Sequence, residues 1–164
     1  MIIRKVLLED AEKYLQMLKT LDEQTNFMMF EPGERKTTLE EQKNIIKNNN
    51  ENGNPMFLME VEGEIVGFLE GVRDKYNRVN HSLYIALGIL KNYRGKGRGR
   101  ALMSKIDEWS QNNDIKRVEL TVICSNEKAV NLYKYVGFKI EGIKESSLKI
   151  RDKFVDEYYM AKIY

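Results

Sequence analysis

The sequence predicts a mixed α/β (α+β) domain: one central twisted mixed sheet of about seven strands, flanked by about four helices. Three observations predict it. The chain has 164 residues, 42% hydrophobic and 32% charged, enough for a single domain, 1–164, with its own core. Two periods of apolar residues alternate along it, one helical and one of two residues. A glycine-rich basic stretch, residues 92–102, separates an apolar run at 83–90 from Leu102, Met103, Ile106 and Trp109 at helical spacing.

Taken in order, residues 2–6 read as a short strand. Asp10 can cap a helix whose apolar stripe is Ala11, Tyr14, Leu15, Leu18 and Leu21. Residues 24–36 lack a period and hold Pro32-Gly33, so they form a loop. Its apolar run Phe27-Met28-Met29-Phe30 is expected to tuck into the core, or to line an acceptor pocket beside Glu31 and Glu34. Thr38 and Glu41 have capping-box spacing and open a second helix to about Lys47. Residues 56–61 and 64–73 are strands around the hairpin pair Glu62-Gly63, and residues 81–90 are a strand with an apolar, central second half.

After the glycine stretch and its helix, residues 116–123 alternate Val118, Leu120 and Val122 against Arg117, Glu119 and Thr121, a strand. Ser125-Asn126 opens a short helix over 127–136, closed by Gly137. Residues 138–149 and 154–162 are the last two strands. The order is β-α-α-β-β-β-α-β-α-β-β, without repeats.

Strand, glycine turn, helix is an arrangement that offers free backbone N–H groups to an anion. The first N–H groups of a helix have no partner within it, and its N-terminal end is partly positive. Arg94, Lys96, Arg98 and Arg100 add charge. A P-loop is excluded, because no Lys-Ser or Lys-Thr follows the glycines. A dinucleotide fingerprint fails as well. Read from Gly95 its third glycine is Arg100, and read from Gly97 it is Leu102. The pattern that fits is Arg/Gln-x-x-Gly-x-Gly, on Arg94, Gly97 and Gly99.

That stretch resembles the acetyl-CoA pyrophosphate loop of the GNAT superfamily of N-acetyltransferases. A second stretch, from Asn126 through Ala129 and Tyr133 to Gly137-Phe138, is similar to the family's Asn-x-x-Ala-x-x-x-Tyr-x-x-x-Gly-Phe signature. Two matches on the expected elements are more specific than either alone. The resemblance implies a GNAT-like fold and an acetyl-CoA-dependent acyltransferase that acetylates a primary amine of a small molecule, peptide or protein by direct attack. Acetyl-CoA is the acyl donor, and no metal is implied.

By the same resemblance, the backbone of Leu87, Gly88 and Ile89 pairs with the pantetheine. N–H groups of Gly95, Lys96, Gly97, Arg98, Gly99 and Arg100 wrap the pyrophosphate, with charge from Arg94, Lys96 and Arg100. A glycine in mid-strand often marks a bulge or a close ligand approach, which suits Gly88. Asn126 touches the CoA arm, and it can equally be only a helix cap. Tyr133 protonates the leaving thiolate; a phenol near pKa 10 stays protonated at neutral pH.

The family's usual base, a glutamate five residues ahead of the asparagine, is replaced by Thr121. Glu119, two residues earlier on the same strand face, and Glu70, on the hairpin strand, are the candidates. Arg98 stands where the family places an aliphatic residue, so it must reach water or an anion.

Other classes are weighed by composition. The net charge of +2 is weak support for nucleic acid, although the patch from Lys91 to Arg100 keeps a nucleic-acid-binding module as an alternative. A non-catalytic CoA-binding sensor is the other. One cysteine, Cys124, and one histidine, His81, exclude an internal disulfide and a Cys/His zinc cluster. No run approaches the roughly 20 apolar residues of a membrane span and no signal-peptide core stands at the N-terminus, so the expected location is cytoplasmic. The last strands could pair between two copies as a homodimer.

Overall fold

A computed structural model describes residues 1–164. Seven strands form one mixed sheet in the order β1-β2-β3-β4-β5-β7-β6, with four α-helices. The chain divides into two compact units: residues 1–72 with 86–109, and residues 73–85 with 110–164.

In the first unit, β1 (Ile2–Lys5) pairs antiparallel with β2 (Met56–Val61), and β2 with β3 (Glu64–Arg73). The hairpin turn puts Glu62 and Gly63 at φ 54° and 82°, the left-handed pair that matches strand twist. Helices α1 (Ala11–Gln24) and α2 (Leu39–Glu51) bring Tyr14, Leu18, Leu21 and Ile46 onto Leu58 and Phe68. The Tyr14 and Phe68 rings meet at 5.8 Å in a tilted contact. The unit also holds most of α3 (Arg98–Asn112), in which Leu102, Met103 and Ile106 are fully buried.

Three expectations need correction here. Asp10 precedes α1, but its carboxylate does not cap that helix; it accepts from the Leu7 N–H at 2.8 Å and from Arg4 at two bonds of 2.7 Å. Helix α2 has the expected capping box but continues to Glu51. Asn49 and Asn52 side chains donate to the carbonyls of Ile45 and Asn48, and so complete its last turns. The run Phe27–Phe30 does not enter the core as a block. Phe27 and Met29 are exposed, Met28 packs against the core, and Phe30 lies 4.2 Å beneath the Arg35 guanidinium. Arg35 is fixed in turn by a buried bidentate pair with Asp22, at 2.6 and 3.1 Å.

In the second unit, the first half of β4 (Ser82–Ile89) pairs parallel with β5 (Arg117–Ile123) at Ser82↔Arg117, Leu83↔Val118 and Tyr84↔Glu119. β5 pairs antiparallel with β7 (Lys153–Ile163) along its whole length, and β7 with β6 (Lys139–Ile150). The even positions of β5 are buried with Leu83, Met160 and Phe138, as the alternation requires. The β6–β7 turn runs through Arg151 and Asp152 at φ 47° and 65°, a left-handed pair without glycine.

Candidate functional site

The glycine stretch of the first unit is a left-handed turn feeding a helix. Gly95, Lys96 and Gly97 lie at φ 77°, 53° and 76°, and α3 begins at the next residue. Glycine carries two of the three left-handed positions, and Lys96 holds the third against its own Cβ. None of the N–H groups of Gly95, Lys96 and Gly97 donates a backbone bond. Gly99 falls in the first turn of α3, where helix geometry leaves N–H groups without an intrahelical bond, and Arg100 follows it in the same turn.

Arg98 departs from the sequence reading. Its N–H donates to the Gly95 carbonyl at 3.2 Å, so it is engaged rather than offered. Its guanidinium does not need an anion: Nη1 donates to the Tyr93 carbonyl at 2.9 Å, and the group lies 5.7 Å from the Tyr93 ring. Arg94 also turns inward, its Nε donating to the Ile89 carbonyl at 2.8 Å. That ties the glycine turn to the end of β4.

Gly88 has a packing cause. A Cβ there would stand 2.4 Å from Leu21 Cδ2 and 2.8 Å from Phe68 Cε1. The absent side chain makes room for α1 and β3, so no bulge or close ligand is required to explain it.

In the second unit, α4 (Glu127–Tyr135) starts at Asn126, whose Oδ1 accepts from the Ala129 N–H at 3.4 Å. The cap role of Asn126 is therefore present in full. The helix ends at Gly137, at φ 100°, with Gly137 donating to Lys134 and Phe138 to Tyr133. This Schellman closure folds the Phe138 ring to 5.8 Å from that of Tyr133. The last two residues of the motif thus hold its tyrosine.

Tyr133 is buried, and its hydroxyl has no hydrogen-bond partner within the protein. Burial, and then the neighbouring Tyr84 phenol, push its pKa well above the ordinary tyrosine value. It stays a proton donor across the neutral range.

Of the two carboxylates, Glu119 is bound by Arg117, whose Nε donates to it at 2.6 Å and whose Nη1 donates to Glu141 at 2.9 Å. Glu70, in the first unit, is half-buried as a residue, but its carboxylate meets the fully buried Tyr14 hydroxyl at 3.3 Å. Burial raises its pKa, an effect that the Tyr14 hydroxyl and the Arg35 charge partly offset. Thr121 Oγ1 lies 2.9 Å from the Tyr84 hydroxyl. Motif spacing does not point to Tyr84. The alternation of Ser82, Tyr84 and Ala86 against Leu83, Ile85 and Leu87 is the one signal that sets it on the polar face.

Cys124 is half-buried, and burial raises its thiol pKa, the reverse of what a nucleophile needs. No cluster of His, Cys, Asp and Glu could hold a metal ion. No helix is long and apolar enough to cross a membrane. A cavity of about 720 Å³ in the first unit is lined by α1, Thr37–Leu39, Glu64, Ile65 and Leu90.

Comparison with known proteins bears on these features. Residues 15–138 match the model of the acetyltransferase (GNAT) family. The chain is 33% identical over 109 residues to the L-amino acid N-acetyltransferase AaaT of Escherichia coli (strain K12), covering 63% of this chain and 64% of that protein, a little under two thirds. It is 27% identical over 147 residues to a spermidine N(1)-acetyltransferase of Vibrio cholerae, covering 87% of this chain and 83% of that one. Among solved structures, a GNAT-family acetyltransferase from Streptococcus pneumoniae superposes with a TM-score of 0.95, at 30% identity over 99% of both chains. With the family model covering most of its length and both motifs seated on the elements that give them meaning, the chain belongs to the GNAT family of acetyltransferases.

Proposed function

We propose that the chain is a single N-acetyltransferase domain that transfers the acetyl group of acetyl-CoA to a primary amine by direct attack in a ternary complex. The observation that carries this reading is Tyr133: a buried phenol, held by the Schellman closure of α4, whose hydroxyl has no partner within the protein. A hydroxyl so placed is free to serve a ligand atom. In this reading it gives its proton to the thiolate as the thioester carbonyl carbon bonds to nitrogen. The N–H groups of Gly95, Lys96, Gly97, Gly99 and Arg100 take the diphosphate, and the backbone of Leu87, Gly88 and Ile89 takes the pantetheine arm.

Glu70 is the better base of the two carboxylates. Burial raises its pKa above the ordinary carboxylate value and its one partner is the uncharged Tyr14 hydroxyl, whereas Glu119 is bound by the Arg117 guanidinium. The acceptor belongs to the classes that the relatives' names carry, amino acids and polyamines, with peptide amines as a further class.

The test is thiol release from acetyl-CoA against L-amino acids, spermidine and peptides with a free N-terminus. Turnover with one class identifies the acceptor. Tight acetyl-CoA binding without thiol release from any amine rejects transfer and leaves a CoA sensor. Salt-steep RNA binding without acetyl-CoA binding leaves the nucleic-acid module.

A further inference from the structure

The open face of the second unit's sheet carries a strip of side chains that the reaction as described leaves unused. On β5, Arg117, Glu119 and Thr121 share one face, opposite buried Val118, Leu120 and Val122. Residues directly paired across a sheet lie on the same face, so Tyr84 joins this strip through Glu119, and Tyr159 joins it through Thr121. Gly142 pairs with Tyr159 in turn, and a Cβ built on it would meet nothing within 4 Å. The floor beside Tyr159 is open.

Charges on this face are mutually satisfied. Arg117 holds both Glu119 and Glu141, so neither carboxylate is left for a ligand. The neutral centre of the strip is different. Tyr84 is 44% exposed and Tyr159 is 47% exposed, large values for aromatic rings inside a sheet. Between them sits Thr121, and the Tyr84 hydroxyl is drawn diagonally to it at 2.9 Å. An exposed tyrosine hydroxyl is ordinarily satisfied by water and free to rotate. This one is fixed, and it lies near enough to Tyr133 to disfavour ionisation there.

We infer that Tyr84 is the acceptor-binding hydroxyl of this enzyme and that Thr121 is its positioning residue; the inference rests on the acetyl-transfer reading. Either hydroxyl can be the donor in this bond; in this assignment Tyr84 donates its O–H to Thr121 Oγ1, and its oxygen lone pair is turned outward to accept an N–H of the incoming amine. This polarity matters, because the amine keeps its own lone pair for the thioester. A hydroxyl without net charge holds a neutral amine in this way and stabilises its ammonium form less than a carboxylate would. The Tyr84 and Tyr159 rings take the methylene groups next to the nitrogen, so the acceptor class is a primary alkylamine.

The experiment is steady-state acetylation of spermidine and of an L-amino-acid mixture by wild type, Tyr84→Phe, Thr121→Val and Thr121→Ser, with acetyl-CoA affinity measured by calorimetry on each. A lost orienting bond is expected to lower acceptor kcat/KM about tenfold or more in Tyr84→Phe and Thr121→Val, mostly through kcat. Thr121→Ser keeps the hydroxyl and is expected to stay within about threefold of wild type. Acetyl-CoA affinity should remain unchanged in all three. Turnover within twofold of wild type in Tyr84→Phe and Thr121→Val overturns this assignment and leaves the acetyl-transfer reading intact. Failure of Thr121→Ser to recover activity overturns the positioning role of Thr121. Wild type that binds acetyl-CoA but acetylates neither probe overturns the acetyl-transfer reading and this assignment with it.

Discussion

Tyr133 and Asp10 show how differently a buried polar group can be used. Tyr133 is buried as a residue while its hydroxyl has no hydrogen-bond partner in the protein, so replacing that hydroxyl removes chemistry and little packing. Tyr133→Phe is expected to lower kcat by roughly a hundredfold or more while acetyl-CoA affinity, by calorimetry, stays within a few fold. Equal turnover would exclude the acid role. Asp10 is fully engaged, by the Arg4 guanidinium and then the Leu7 N–H, which hold its pKa below the ordinary carboxylate range. A carboxylate whose pKa falls on folding stabilises the protein above its unfolded value, near 4, and loses that contribution as pH drops through the folded one. Arg4 is about one-third exposed, so solvent screens the pair. Asp10→Asn is therefore expected to destabilise by about 1–2 kcal/mol at pH 7 in urea unfolding, with the gap to wild type closing as pH falls below the ordinary carboxylate range.

At the scale of the element, the glycine turn is the part least tolerant of change. Gly97 lies at φ 76°, with the Arg100 guanidinium 3.5 Å from where a Cβ would stand. A β-branched residue there costs about 1–3 kcal/mol in backbone strain and turns the neighbouring N–H groups away. Gly97→Val is expected to weaken acetyl-CoA binding at least tenfold in calorimetry, and unchanged affinity would reject the cradle. This element and α4 were legible in the sequence because their glycines and caps act locally: Gly95, Gly97 and Gly137 sit where the chain must turn left-handed. The strands were legible from local signals as well: β5 from its period of two, β2 and β3 from the Glu62-Gly63 hairpin pair, and β4 from its apolar run. The α2 boundary, Arg98 and Gly88 were not. An asparagine run reads as a stop until its side chains are seen bonding the helix's own carbonyls, Arg98 depends on the Tyr93 carbonyl, and Gly88 depends on Leu21, 67 residues earlier in the chain. Tyr84 with Thr121 and Tyr14 with Glu70 join strands and helices far apart in sequence, and no spacing rule reaches them.

At the scale of the whole molecule, a ligand acts on stability by mass action. Acetyl-CoA at a hundredfold its Kd adds about 2.7 kcal/mol to a protein that binds it only when folded. For a chain of this length that corresponds to a Tm rise of roughly 5–10 °C by scanning calorimetry, increasing with ligand concentration. RNA should give no such rise, and a rise with RNA alone would favour the basic-patch alternative. The same glycine turn also has a kinetic signature. Amide protons of Gly95, Lys96 and Gly97, donated to nothing, should exchange with solvent almost as fast as in an unfolded peptide, while the neighbouring Arg98 amide, bonded to Gly95, lags behind. Once an anion covers the turn, the three fast amides should slow and the fourth should change little. Occupancy of the loop is thus written into the protein as a rate, readable residue by residue without any turnover at all.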